Sequence, residues 1–151
     1  MNDKIKVAAV GAGYFSQFQY QGWRNMDDVR TVALANRSVA KGEALAAQYG
    51  VPKVYAHVEE MLDAELPDLL DIITTPATYR EYTEPAAVRG INVICQKPFG
   101  RSFSEAVELT EIAEKAGIKL VVHENFRWQP WYREAKRLIG KGQLGTLHSA
   151  A

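Results

Sequence analysis

Residues 5–16 read Ile5-Lys6-Val7-Ala8-Ala9-Val10-Gly11-Ala12-Gly13-Tyr14-Phe15-Ser16, an apolar strand running straight into a glycine-rich turn that opens an amphipathic helix. Gly11 permits the tight turn, and Gly13 lets the backbone approach a pyrophosphate closely. The amides of Tyr14, Phe15 and the helix behind them then face the anion, helped by the partial positive charge at that helix end. The third glycine of the G-x-G-x-x-G pattern is replaced by Ser16. A hydroxymethyl group at a helix–strand contact costs ~1–3 kcal/mol when it overpacks, which predicts a slightly displaced helix. Glycine pairs after strands also serve as ordinary turns, so the motif by itself leaves that reading open.

Working outward, Thr31-Val32-Ala33-Leu34-Ala35 reads as a second buried strand ending at Asn36-Arg37-Ser38. A dinucleotide fold places an acidic residue for the adenosine ribose at this distance, and here the acid is absent. Asn36 can still bond ribose hydroxyls without repelling a 2′-phosphate. Arg37 and Ser38 can supply charge-assisted bonds to that phosphate, each worth roughly 1.5–3 kcal/mol. This favours NADP. NAD stays open, because an arginine here can also stack on adenine, be solvated, or follow a serine that only caps the helix over residues 39–49.

The chain of 151 residues, with 18 basic and 18 acidic side chains, has the size of one ordinary domain and no charge excess to attract nucleic acid or acidic membrane. No stretch is long and apolar enough for a membrane span. The amino terminus leads into a core strand and leaves no room for a signal peptide. The single cysteine, Cys95, excludes an internal disulfide, suits a reducing cytoplasm, and reads as a small buried strand residue. The histidines His57, His123 and His148 are too scattered for a metal site, although His123 ends a strand on the ligand side.

Strands and helices alternate along the chain. Further strands are predicted near 53–55, over 69–73 and 91–95, and over 119–122. Helices are predicted near 58–64 and 80–89, and from a Ser102/Glu105 capping box through Ala116 to Gly117. The pattern implies an α/β fold with a doubly wound parallel sheet and ligands at the carboxyl ends of its strands. The tail differs. A polar, aromatic segment over 125–130 precedes a helix over 131–141, a turn at 143–145, and a strand starting at Thr146. Trp23, Tyr49, Tyr55 and Phe103 are expected in the core, whereas Phe126, Trp128 and Trp131 suit a face toward another domain.

Four separated motifs coincide with one family: the opening glycine turn, the Asp71–Pro76 strand end, Cys95-Gln96-Lys97-Pro98, and Asn125–Arg127 with the later Leu144-Gly145. The chain resembles the amino-terminal NAD(P)-binding Rossmann domain of the glucose–fructose oxidoreductase, inositol dehydrogenase and rhizopine-catabolism (Gfo/Idh/MocA) oxidoreductases. The resemblance implies a coenzyme domain over residues 1–123. Residues 124–151 would be the lead-in to a second α+β domain that binds substrate and supports homo-oligomers.

It also implies roles. Thr74, Thr75 and Pro76 would line the coenzyme, NADP preferred or NAD. Tyr79 stands where the family commonly has histidine and would likewise border the coenzyme. Lys97 matches the lysine of the family's Glu-Lys-Pro motif near nicotinamide and the reacting hydroxyl, with a cis peptide often preceding the proline. Its chemistry is sound in itself, since removing hydride from an alcohol builds negative charge on oxygen that a fixed ammonium stabilises. Gln96 departs from the usual glutamate and alters the electrostatic setting of Lys97. Asn125 and Arg127 would reach the nicotinamide ribose or carboxamide, or form a polar hinge. The implied function is hydride exchange between a nicotinamide coenzyme and a hydroxyl of a sugar, inositol or similar polyol. This chain is expected to bind coenzyme but to turn over poorly alone. A non-catalytic nucleotide sensor and an NAD-dependent glycosidase are the alternatives.

Overall fold

The computed structural model describes residues 4–149. Six strands, β1 (Ile5–Val10), β2 (Val29–Ala35), β3 (Val54–Tyr55), β4 (Leu69–Ile72), β5 (Asn92–Cys95) and β6 (Leu120–Val122), form one parallel sheet in the order β3-β2-β1-β4-β5-β6. The connecting helices are α1 (Ser16–Arg24), α2 (Val39–Tyr49), α3 (Val58–Glu65), α4 (Tyr79–Val88) and α5 (Phe103–Ala116), with α6 (Pro130–Gly140) following the last strand. The order reverses between β1 and β4, which opens a crevice at the carboxyl ends of the central strands. The doubly wound reading of the sequence is what the structure shows.

The apolar runs at β1, β2 and β4 are continuous because helices cover both faces there. On one face Ala8, Val10, Leu70, Ile72, Val93 and Cys95 pack under α3, α4 and α5. On the other, Ala9, Leu34 and Ile73 pack under Tyr20 of α1 and Ala46 of α2. That second cover stops short of β5 and β6. Along β6 the side chain of Val121 is 49% exposed between two half-buried neighbours.

Most boundaries match the sequence reading to within a residue or two. The α5 cap is built differently from the expected reciprocal box. Ser102 Oγ accepts from the Glu105 amide at 3.3 Å, but the Glu105 carboxylate accepts from the Arg101 amide at 2.7 Å. Two expectations fail, at Phe103 and at residues 146–149. Phe103 is 86% exposed rather than core. The buried stripe of α5 passes through Leu109 and Ala113, and a position six residues before Leu109 lies roughly 120° around the helix from it. Residues 146–149 form no strand, because no neighbouring strand offers them a ladder, and Ala150, Ala151 and the expected amino-terminal lead-in at residues 1–3 lie outside the described residues. The last helix begins one residue early, with Pro130 in its first turn where a missing N–H costs nothing. Its main contacts are with the short turn of 3-10 helix at Phe126–Trp128.

Candidate coenzyme site

Sheet register assembles the site. Val10 pairs with Ala35 and Ile72, Ile72 with Cys95, and Cys95 with Val122, so five strands end in one row. The ladder runs one residue further: Gly11, Ile73, Gln96 and His123 donate their amides to Ala35, Val10, Ile72 and Cys95, and Asn36 donates to Tyr55. Gly11, Asn36, Ile73, Gln96 and His123 therefore stand side by side along the crevice.

The glycines of the first turn have different tasks. Gly11 has φ +116°, and a Cβ built on it would lie 2.5 Å from the Ile73 carbonyl oxygen, so the turn closes against β4 only because no side chain is there. A Cβ on Gly13 would meet nothing within 4 Å, so that glycine borders open space. Among the described residues the amides of Gly13, Tyr14 and Phe15 have no intramolecular acceptor. The first turn of α1 carries no acidic residue to neutralise its dipole. Ser16 is fully buried, and its hydroxyl donates to the Gly13 carbonyl at 2.6 Å, which gives the third-glycine substitute a partner inside the turn.

At the end of β2 the Asn36 side chain accepts from the Ala12 amide at 3.1 Å and donates to the Ser38 carbonyl at 2.8 Å. Arg37 is exposed and, among the described residues, has no carboxylate partner. Ser38 occupies the N-cap position of α2, but its side chain makes no capping bond, so its hydroxyl is uncommitted. After β4, the Thr74 and Thr78 hydroxyls bond at 2.7 Å, and Thr78 Oγ1 donates to the Thr75 carbonyl at 2.9 Å. Pro76 starts the short 3-10 turn that leads into α4. Tyr79 is not brought to this rim. It is fully buried among the core side chains beneath α4, with its hydroxyl unpartnered, so the expected contact with a ligand is replaced by packing.

Beyond β5 the Lys97–Pro98 peptide is cis, as the motif led one to expect. Lys97 lines a cleft of about 630 Å³ together with Phe15, Trp23, Gln96, His123 and Asn125. The Gln96 amide lies 3.3 Å from His123 Nδ1, and burial lowers the His123 pKa, so the neutral ring accepts this bond. Arg127 is turned elsewhere, its guanidinium 5.0 Å from the centre of the Trp128 ring. The sequence reading missed Asp71. It is fully buried in β4, and burial pushes its carboxyl up to about 7 although the Trp23 indole donates to it. The available signal was a carboxylate inside the apolar run 69–73, since such a group is seldom buried without a partner.

A pyrophosphate-sized anion fits the three free amides on an unneutralised helix end and the glycine facing open space, while Arg37, without a carboxylate partner among the described residues, stands apart at the end of β2. Comparison with known proteins agrees. The family described as "Oxidoreductase family, NAD-binding Rossmann fold" (Gfo/Idh/MocA) matches residues 5–124, and the chain belongs to it. A D-apiose dehydrogenase of Paraburkholderia graminis is 37% identical over 143 residues, 95% of this chain and 38% of that protein. A D-xylose 1-dehydrogenase (NADP+) of Haloferax volcanii is 29% identical over 117 residues, 78% of this chain and 36% of its own length. Among solved structures, an Agrobacterium radiobacter oxidoreductase in complex with NAD+, L-tartaric acid and magnesium superimposes with a TM-score of 0.90 at 31% identity, over 95% of this chain and 42% of that one. The chain thus spans about two-fifths of the length of these relatives. Among the described residues no helix is long and apolar enough to cross a membrane, and no three metal-binding side chains cluster.

Proposed function

We propose that this chain binds NADP in preference to NAD at the crevice between β1 and β4. As part of a whole protein it would serve hydride exchange with a hydroxyl of a sugar or polyol. The observation that carries the reading is that Phe15, the last of the three turn residues with free amides, lines one cleft with Lys97. When bound, the coenzyme supplies the hydride acceptor or donor. The protein supplies the rest. The turn amides hold the linked phosphates, Arg37 and Ser38 meet the 2′-phosphate, and Thr74, Thr75 and Pro76 border the coenzyme after β4. Lys97 presents an ammonium where an alcohol oxygen gains charge as it loses hydride.

Gln96 and Asn125, which share the cleft with Lys97, support a polar seat for the nicotinamide carboxamide and ribose. The sugar dehydrogenases among the relatives support the substrate class. On this reading residues 1–123 are the coenzyme unit, residues 124–151 lead to substrate-binding and oligomerising parts, and the protein works in a reducing cytoplasm that keeps the buried Cys95 thiol free.

Calorimetric titration with NADP+ and NAD+ tests this. Wild type binds both saturably, and Arg37→Ala weakens NADP+ by about tenfold or more while changing NAD+ by much less. An Arg37→Ala chain with unchanged NADP+ affinity would remove the basis for the preference.

A further inference from the structure

Asn36 does more than end β2. Its amide donates to Tyr55, its neighbour Ala35 accepts from Gly11, and its side chain then bridges the two turns of the site. Oδ1 accepts the Ala12 N–H between the paired glycines, and Nδ2 donates to the Ser38 carbonyl ahead of α2. These partners fix the amide's orientation, since a flipped group would set two donors face to face and two oxygens face to face. The same Ser38 carbonyl accepts the Gly42 amide at 3.1 Å, so the bridge reaches the opening bond of α2. The space behind is closed as well. A Cβ on Gly42 would lie 2.9 Å from Val54 and 3.5 Å from the Asn36 Cβ.

From this geometry we infer that Asn36 is a positioning residue, a neutral clamp holding the Ala12 turn against the Ser38 loop, and that its influence on coenzyme passes through the turn rather than through a direct contact with ribose. The inference rests on the coenzyme reading above and sharpens it. A carboxylate at position 36 keeps the Ala12 bond but has no hydrogen for Ser38, leaving two oxygens opposed at the present 2.8 Å spacing. In this chain an acid at position 36 would therefore loosen the Ser38 loop. Simple ribose logic predicts that Asn36→Asp gains NAD+ affinity, and the clamp predicts the reverse.

The experiment compares wild type, Asn36→Asp and Asn36→Ala by calorimetry with NAD+ and NADP+, by thermal unfolding, and by amide hydrogen exchange at Ala12. The clamp predicts that Asn36→Asp weakens NAD+ by about fivefold, the loss of one hydrogen bond, with NADP+ weakened further. Asn36→Ala also weakens both coenzymes. It raises Ala12 exchange by about tenfold while exchange in β4 and β5 stays at its wild-type rate. An Asn36→Asp chain that binds NAD+ as tightly as wild type or tighter makes residue 36 a ribose reader and overturns the clamp. Unchanged Ala12 exchange in Asn36→Ala overturns it too. If wild type binds neither nucleotide, the coenzyme reading is what fails, and the exchange rate of Ala12 alone decides the clamp.

Discussion

The indole N–H of Trp23 donates to Oδ2 of Asp71 at 2.7 Å, joining the helix behind the coenzyme turn to the middle of β4 across 48 residues of sequence. Asp71 lies between Ala9 of β1 and Ile94 of β5 in the sheet register, and its Oδ1 has no partner among the described residues. The bond therefore satisfies half of a buried carboxyl. Asp71 also reinforces the burial that raises the pKa of the neighbouring Tyr20 hydroxyl.

The carboxyl's position near pH 7 fixes the sign of a stability effect. From about pH 4 to about pH 7 the unfolded chain is ionised at this residue while the folded chain holds a proton, so stability falls as pH rises through that window. Asn at position 71 cannot ionise. In urea unfolding, the advantage of Asp71→Asn over wild type grows with pH up to about 7 and then levels off. The lowered pKa of His123 acts in the opposite direction, removing stability as pH falls below its unfolded value, but equally in both chains, so the difference isolates Asp71. Parallel curves for the two chains contradict the assignment.

Trp23 and Asp71 are expected to be coupled energetically. Trp23→Phe keeps an aromatic wall on the cleft but removes the donor, at a cost of about 1–3 kcal/mol from the carboxyl left unpaired. The same change in an Asp71→Leu background costs clearly less, because no buried acceptor then remains. A double-mutant cycle measures the coupling, and additive effects would mean that the bond contributes nothing.

Gly11 and Gly13 should separate fold from binding. Gly11→Ala drives a methyl group into the Ile73 carbonyl at a positive φ, so it destabilises the chain by several degrees of melting temperature or more. Gly13→Ala meets open space and leaves stability within about 1 kcal/mol, yet it narrows the approach to the free amides and lowers coenzyme affinity. Thermal unfolding read beside calorimetry distinguishes the two. Equal melting temperatures for the two variants would refute the distinction.

Burial lowers the His123 pKa, and the neutral Gln96 amide beside the ring adds no charge to oppose it. Replacing Gln96 with glutamate puts a carboxylate 3.3 Å or so from His123 Nδ1, which favours the imidazolium and raises the His123 pKa from its lowered value. NMR titration of the His123 ring in Gln96→Glu against wild type reads the shift directly. A titration that does not move contradicts the contact.

Much of this was legible in the chain because the signals are local. Val7–Val10 followed by Gly11 and Gly13, and Leu69–Ile72 followed by Thr74 and Pro76, mark strand ends by apolar runs and turn residues, and parallel register then lines those ends up. What was hidden depends on distance in sequence. Nothing near Asp71 announces that Trp23 is its partner, and nothing near Tyr79 says that α4 turns its ring inward. Phe103 misled because an aromatic residue after an N-cap reads as core, while the stripe that packs is set farther along α5. The pattern at 146–149 suggests a strand, but pairing is not a local property.

The most direct measurement follows amide resonances of the chain while NADP+ is added. The account predicts saturable shifts at Gly13, Tyr14 and Phe15, with further shifts at Arg37 and Lys97 along the same crevice and little change at α5. Shifts confined to another edge of the sheet, or none at millimolar coenzyme, would contradict it.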